Sequence, residues 1–490
     1  MKTILKILAA ALLMILLLFS NLCAQDYNKP ITIEALNHTT NSSVISRSLG
    51  GLTLSSRNDI TTMFANPAAL QSLEGIQISL GGIQENNTKE QTQRWYSLDW
   101  LSMFDLFMEG KTAALRDPVI DTSKVKNPTY QDSVQRNGRD PNWSRKKNQF
   151  VPSQVFAAVP FKILGRKLSV GLGVVEYANA DYYYVNKTAF NRNLDYITLP
   201  ISASPEPVTA DWWADTRSRE GAIYGYGCAI SATMSEGVSV GVSGLVISGT
   251  MNDNQIMERF GQLQFFAKDF RYVPSDSVSL VAINGTSKVR GLEWTVSAVY
   301  QTKYVLFGLS IKPPMKITRD FTTTGDSTYG STRVVLPESK GSDNLILPLR
   351  GSIGVGISLR SNVFLNAEYD YNPYRLAEYT DNNGTVSNPW LDCSSFHVGL
   401  EYLPVDFVSV RFGYQTKSET FEQQGNQFRG DPVTCFVYSA GVGIRLLKSI
   451  QLNLGYEYAN LSYEDNWNTN TNVNKDMRNS FFGSIAYTLQ

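Results

Sequence analysis

The sequence predicts an all-β protein: a transmembrane outer-membrane β-barrel of about fourteen antiparallel strands. Three observations lead there. A secretory leader opens the chain, short segments of alternating apolar and polar residues recur from Ile76 onward, and their connections alternate between tight turns and long polar inserts. Short turns at one end and long loops at the other are what a barrel threaded through an outer membrane requires.

The leader comes first. Lys2 and Lys6 give a positive start, Ile7 to Phe19 an apolar core and Ala24 a small residue for cleavage, so residues 1–25 read as a signal peptide. Lipidation would use Cys23, but Leu22 before it is too large for a lipidation box. No later segment approaches the roughly 18 unbroken apolar residues of a spanning helix. A mature chain that crosses a membrane must therefore cross as a closed barrel, in which the wall pairs its own backbone groups. The 490 residues carry 44 basic and 44 acidic side chains, and that balance gives nucleic acid nothing to hold. Cleavage leaves Cys228, Cys393 and Cys435, widely spread. They form neither a disulfide framework nor a metal box, and each falls within a strand pattern as a small apolar residue.

Residues 26–75 show no sustained period of either kind. The polar run His38 to Ser43 and the many small residues suit a segment packed inside something else, or an exposed linker. Within it lie Ser48-Leu-Gly-Gly-Leu-Thr53, then Asp59, then Phe64-Ala-Asn-Pro-Ala-Ala-Leu70. Asn66-Pro67 is a turn initiator: Pro67 fixes its own φ and pushes Asn66 toward extended geometry. Asn66, Pro67 and Ala68 thus mark a compact turn just ahead of the first strand.

From Ile76 the period becomes two, with Ile76, Ile78 and Leu80 against Gln77 and Ser79. A polar insert then runs from Gln84 to Pro152. Inside it Leu98, Leu101, Phe104 and Phe107 recur at helical spacing beside Trp95 and Trp100, which predicts a short amphipathic helix. Strands follow at Gln154 to Phe161 and Lys167 to Tyr177. A polar stretch from Asn179 to Arg219 precedes Ala222 to Thr233 and Val238 to Thr250, joined at Ser235-Glu-Gly237. The insert Asn252 to Arg290 precedes Leu292 to Gln301 and Tyr304 to Lys312. Next come Leu345 to Leu359 and Val363 to Tyr371, then Ser394 to Tyr402 and Phe407 to Tyr414, then Val433 to Leu446 and Ile450 to Tyr458. An Asn-rich insert, Asp465 to Asn474, precedes the closing strand Ser480 to Leu489. The count is even, which closes the cylinder without a free edge.

The alternation also assigns faces. Phe396, Val398, Leu400 and Tyr402 oppose Ser395, His397, Gly399 and Glu401, and Val408, Val410 and Phe412 oppose Ser409, Arg411 and Gly413. Leu345 to Leu359 places apolar residues at odd positions against Arg350, Ser352, Gly354 and Gly356. A barrel in lipid turns the apolar set outward. Tyr369, Tyr371, Tyr456 and Tyr458 at strand ends fit an interfacial aromatic girdle.

Enzymatic constellations are nearly absent. The chain has two histidines, His38 and His397, and lacks a Gly-x-Ser-x-Gly elbow, a phosphate loop and a His-Glu-x-x-His pair. Ser395, His397 and Glu401 share a face, yet neighbours two apart on a strand sit about 7 Å apart and point in parallel, which suits a hydrogen-bonding His397 better than a triad. Neither a cofactor nor a metal is implied. Glu293, Arg350, Glu368, Asp370, Glu401, Arg411, Arg445 and Glu457 project inward on this assignment. Two roles stay open for them. They could bridge one another and the hatch, or a guanidinium such as Arg411 or Arg445 could pair with a carboxylate headgroup. Two roles are likewise open for Leu101, Phe104 and Phe107: collecting a lipid-like molecule outside the cell, or packing on other loops.

The Asn66-Pro-Ala-Ala-Leu70 element, behind Gly50-Gly51 and Asp59, resembles the N-terminal region of the FadL family of outer-membrane transporters. That resemblance implies a fourteen-stranded barrel behind a hatch, with residues 26–75 as the hatch and 76–490 as the barrel. It implies passive uptake of hydrophobic compounds, long-chain fatty acids above all, by a monomer in the bacterial outer membrane. External loops would capture the ligand, a pocket between wall and hatch would accept it, and hatch movement would open a route through the wall. The family uses a strand bend for lateral exit, for which Gly81-Gly82 and Gly171 with Gly173 are candidates. Some FadL-like barrels instead serve as docking components of protein-secretion systems, which is the alternative function. One departure stands at the C-terminus, Ala486-Tyr-Thr-Leu-Gln490, where bacterial barrels usually end on an aromatic residue.

Overall fold

The structure, a computed structural model, describes residues 43–55, 59–94, 119–120, 142–163, 165–192, 208–266, 271–275, 279–388, 390–420, 432–467 and 470–489. Among these, fourteen strands form one closed antiparallel wall. They are β1 (Ile76–Arg94), β2 (Trp143–Ile163), β3 (Arg166–Asn179), β4 (Val208–Ser235), β5 (Val238–Phe266), β6 (Ser279–Gln301) and β7 (Val305–Lys312). The second half comprises β8 (Arg350–Arg360), β9 (Val363–Asn372), β10 (Cys393–Val405), β11 (Val408–Ser418), β12 (Thr434–Leu447), β13 (Ile450–Trp467) and β14 (Asn470–Leu489). Ile76 pairs with Leu489 and Arg94 with Thr471, so β14 and β1 close the ring along the full length of β1. The first and last strands thus begin and end on the side of the tight turns, as an even strand count demands.

The wall is inverted relative to a soluble fold. On β6, Trp294 is 51% exposed and faces outward with Leu292 and Val296, while Glu293, 2% exposed, faces inward with Thr295 and Ser297. The same division holds on β10, with Phe396 and Leu400 outward and Ser395 and His397 buried. Apolar side chains outside and polar ones inside are stable only if the outer solvent is hydrocarbon. No helix among the described residues is long and apolar enough to cross a membrane, and the strands do the crossing.

Two expectations need correction. Among the described residues, the polar inserts are largely strand. Asn252, Asp253 and Asn254, expected in a loop, pair with Thr286, Gly285 and Asn284 as β5 and β6 continue upward. Likewise Tyr182–Arg192 extends the ladder beside β4, and the hairpin Met315–Tyr329 with Thr332–Leu347 stacks on the outer half of β6. Above the bilayer both faces of a strand meet water. The backbone ladder there needs no apolar alternation, and the period-two signal disappears while the strand does not. The second correction concerns Leu345 to Leu359. The chain breaks at Pro348, which has no N–H for the ladder. Leu345 and Leu347 on one side are buried in the lumen, whereas Leu349 and Ile353 on the other face out. The phase slips by one residue.

Residues 43–55 and 59–75 lie inside the lumen. A short helix, α1 (Val44–Ser48), is capped by the Ser43 hydroxyl, which accepts the Ser46 N–H. Asp59 caps a 3-10 turn at Ile60–Thr62 in the same manner. Pro67 opens a second, Pro67–Ser72, where its missing N–H costs nothing. Chain packs here because the wall withholds side chains. A Cβ on Gly399 would stand 2.6 Å from the Leu49 carbonyl, one on Gly308 2.7 Å from Leu54 Cβ, and one on Gly413 would overlap the Gly50 nitrogen.

Candidate functional site

The inward-facing residues that hold the segment 43–75 define one boundary of the site. Two kinds of bond are used. Toward its N-terminal half they are ionic: Arg47 Nη2 meets Glu457 Oε1 at 2.7 Å, with the guanidinium 4.9 Å over the Phe482 ring. Glu368 accepts the Thr53 and Leu54 N–H groups at 2.7 and 2.9 Å and the Thr53 hydroxyl at 2.7 Å. His397 Nδ1 lies 2.7 Å from the Gly50 carbonyl and Nε2 3.1 Å from Asp370. Both partners are acceptors, so both bonds form together when the ring carries two protons.

Toward the C-terminal half the bonds that hold residues 64–68 are neutral, and Lys167 Nζ grips the end of the segment, donating to the Gln71 carbonyl at 2.6 Å and to that of Leu73. Thr295 donates to the Phe64 carbonyl at 2.9 Å and Ser310 to that of Ala65 at 2.7 Å, while Ser297 accepts the Ala68 N–H at 2.9 Å. Gln71 is clasped by Ser231 and Thr233, at 2.8 and 2.9 Å. The three predicted hatch residues are brought together here. Asn66 Nδ2 bridges the Thr53 and Leu54 carbonyls at 3.3 Å each, Pro67 starts the 3-10 turn, and Ala68 reaches Ser297.

On the outer side of this segment lies a cavity of about 240 Å³. Gly51, Thr53, Phe64 and Ala65 form its floor, and the wall contributes an apolar flank of Val175, Tyr177 and Leu245. The opposite flank is charged. Glu293 takes Lys312 Nζ at 2.7 Å, Arg350 Nη2 at 2.9 Å and the Tyr177 hydroxyl at 3.1 Å, so its charge is matched by two cations. A second cavity, about 130 Å³, lies alongside and is lined by Arg47, Lys89, Lys147, Val151 and Arg478 among others. Glu176 and Lys417 line both. Lys417 makes no hydrogen bond or ion pair among the described residues.

The second cavity borders an irregular part of the wall. Strands β2 and β3 pair from Ile163↔Arg166 up to Gln154↔Val175. Beyond that, Trp143–Ser153 and Glu176–Arg192 share no backbone pairing among the described residues. Side chains bridge the seam instead: Lys147 to Asp181 at 2.7 Å, Trp143 Nε1 to the Val185 carbonyl at 2.8 Å, and Arg145 4.2 Å over the Tyr183 ring. A register shift at Tyr177 on β3 and another at Gly81/Gly82 on β1 flank it. The seam begins where outward Val159, Val155 and Phe150 give way to Asn148 and Lys146, at the outer edge of the apolar band.

Neither predicted arginine reaches the cavity. Arg411 is buried near the tight-turn end, its Nε 2.8 Å from Glu401 and Nη1 3.1 Å from Asn453. Arg445 is exposed at the same end, beside the turn into β13, because the inward face of a barrel strand opens to water at the rim. Leu101, Phe104 and Phe107 lie outside the described residues. Lys417 went unread because the apolar pattern of its strand ends at Tyr414. Continuing the inward phase from Arg411 through Gly413 and Gln415 would have reached it.

A buried apolar cluster completes the site. It starts at Ile60, Met63 and Phe64, passes inward-facing Leu245 and Ile247, and ends at Tyr379 and Trp390 near the outer end.

Among solved structures, the fold is similar to that of a Pseudomonas aeruginosa FadL homologue, with a TM-score of 0.58 and 12% identity over 94% of this chain and 100% of that one. The P. putida toluene transporter TodX follows at a TM-score of 0.55 and 10% identity, over 91% of this chain and 98% of the other. The CymD monoaromatic hydrocarbon channel gives 0.50 and 12%, over 91% and 97%. At the level of sequence, no family model and no curated protein matches this chain. The shared feature is the fold, a closed fourteen-strand antiparallel barrel of the outer-membrane type.

Proposed function

We propose that the protein is an outer-membrane channel for the passive uptake of hydrophobic compounds, with long-chain fatty acids as its cargo. The observation that carries this reading is the apolar cluster running from Met63 and Phe64 to Trp390 on the inner side of the wall. Water-filled barrels keep such inward positions polar. A lumen that buries Leu, Ile, Met and aromatic side chains from its outer end to its plug suits an apolar solute. The resemblance in fold to channels for hydrophobic molecules points the same way.

The residues suggest how passage proceeds. Cargo packs against Val175, Leu245 and Phe64 in the larger cavity. The neutral hydroxyl contacts of Phe64, Ala65 and Ala68 are the weaker of the two sets of anchors, since hydrogen bonds to charged groups contribute about 1.5–3 kcal/mol against about 1 for neutral ones. They yield first. Exit through the β2–β3 seam breaks side-chain bridges and spares the ladder, so the opening costs far less there than elsewhere in the wall.

The test is uptake of radiolabelled oleate and toluene by intact Gram-negative cells that have no other such channel. Expression of the full chain is expected to raise the uptake of at least one of the two. Rates equal to those of cells expressing an unrelated barrel would overturn the reading.

A further inference from the structure

We infer that Lys417 selects cargo bearing an anionic head group, and that it hands this head from the larger cavity to the seam-side one. The inference rests on the uptake reading above. Its basis is a charge inventory of the two cavities. Their cations are Lys312, Arg350, Arg47, Lys89, Lys147, Arg478 and Lys417, besides His397. Lys312 and Arg350 are held by Glu293, Arg47 by Glu457, Lys147 by Asp181, and both Lys89 and Arg478 by Asp476. His397 is held by Asp370. Among the described residues, Lys417 is the cavity cation left over. Glu419, two residues along, attracts it only from beyond ion-pair distance.

An ammonium group withdrawn from bulk water with no counter-charge is unfavourable unless something pairs with it. A carboxylate entering the cavity would make the charge-assisted hydrogen bonds that the wall does not supply. The position matters as much as the charge. Glu176 and Lys417 are the two residues common to both cavities, so any solute moving from one to the other passes between them. A carboxylate head is repelled by Glu176 and drawn to Lys417, while the apolar flank of Phe64, Val175 and Leu245 takes the tail. The fitting ligand is therefore an amphiphile with one anionic end. Toluene-like hydrocarbons have nothing to offer Lys417.

The experiment is equilibrium binding of oleate and of its uncharged analogue oleyl alcohol to the full chain in mild detergent, for wild type, Lys417→Met and Lys417→Arg. Heat-modifiable migration on a gel establishes that each variant has formed its barrel. Loss of the charge-assisted contact is expected to weaken oleate binding to Lys417→Met by at least about tenfold. Oleyl alcohol should change by less than about twofold, and Lys417→Arg should retain oleate. Equal oleate binding by wild type and Lys417→Met overturns the role of Lys417 while leaving the uptake reading in place. Wild type that binds neither compound removes the uptake reading itself.

Discussion

Glu368 of the barrel wall receives the backbone N–H and the hydroxyl of Thr53, each at 2.7 Å, and the N–H of Leu54 at 2.9 Å. One carboxylate thus satisfies three donors of a segment more than 300 residues away in sequence. Charge-assisted bonds of this type contribute about 1.5–3 kcal/mol each, so Glu368 is a principal anchor of the luminal segment.

Glu368→Gln offers one acceptor oxygen where there were two. Amide hydrogen exchange at Thr53 and Leu54 is expected to quicken by at least about tenfold, with the wall amides of β9 unchanged. Unaltered exchange at both residues would show that Glu368 does not hold the segment.

Gly413 lies where any Cβ would overlap the Gly50 nitrogen. Gly413→Val is expected to push the luminal segment out of place and raise ion conductance in planar bilayers. Gly351→Ala, whose new methyl would find its nearest neighbour at 3.5 Å, serves as the control and should conduct as wild type does. Identical conductance in both variants refutes a collar that depends on missing side chains.

The Arg47–Glu457 pair joins α1 to β13 with side chains 10% and 17% exposed. Breaking a buried pair from one side costs about 3–5 kcal/mol, and the partial exposure here places the expected cost at the lower end. Either Arg47→Ala or Glu457→Ala should therefore open the luminal segment to limited proteolysis. The reciprocal exchange, Arg47→Glu with Glu457→Arg, should restore part of the protection. If the exchange is no better protected than the single variants, the pair is not the anchor.

The seam is tested by locking it. With Cys228→Ser removing the exposed thiol, Lys147→Cys and Asp181→Cys can be joined by a short bismaleimide across β2 and β3. Cargo binding should survive and uptake should fall to background. Undiminished uptake by the cross-linked protein would exclude the seam as the exit.

Arg411 gives the contrasting case. Its guanidinium is committed to Glu401 and Asn453. Arg411→Ala is expected to lower the temperature of heat-modified migration and leave oleate binding unchanged. A loss of binding without a loss of stability would reverse that assignment.

Several of these features were legible in the sequence and others were not. Wherever lipid meets the wall, apolar side chains must alternate with lumenal ones, and so Trp294 against Glu293 or Phe396 against His397 could be assigned faces without coordinates. The tight turns at Ser235-Glu-Gly237 and Lys448-Ser449 were equally plain. In water above the bilayer the constraint lapses, and the ladder of Asn252 to Asn254 with Gly285 and its neighbours left no periodic trace.

What the sequence determined by itself, then, is the barrel, its strand count and the direction of the membrane-embedded residues wherever the alternation is unbroken; across Pro348 it failed, and Leu345 and Leu347 face the lumen. These follow from local chemistry, because each residue answers separately to hydrocarbon on one side and the lumen on the other. Which lumenal charges pair was decided only in the tertiary structure. Glu293 meets Lys312 and Arg350, Arg411 meets Glu401 and Asn453, and Lys417 is left to face two cavities, according to the stagger of neighbouring strands and the path of residues 43–75 between them. Pairing depends on positions set jointly by distant parts of the chain, and a pattern of period two carries no information about that.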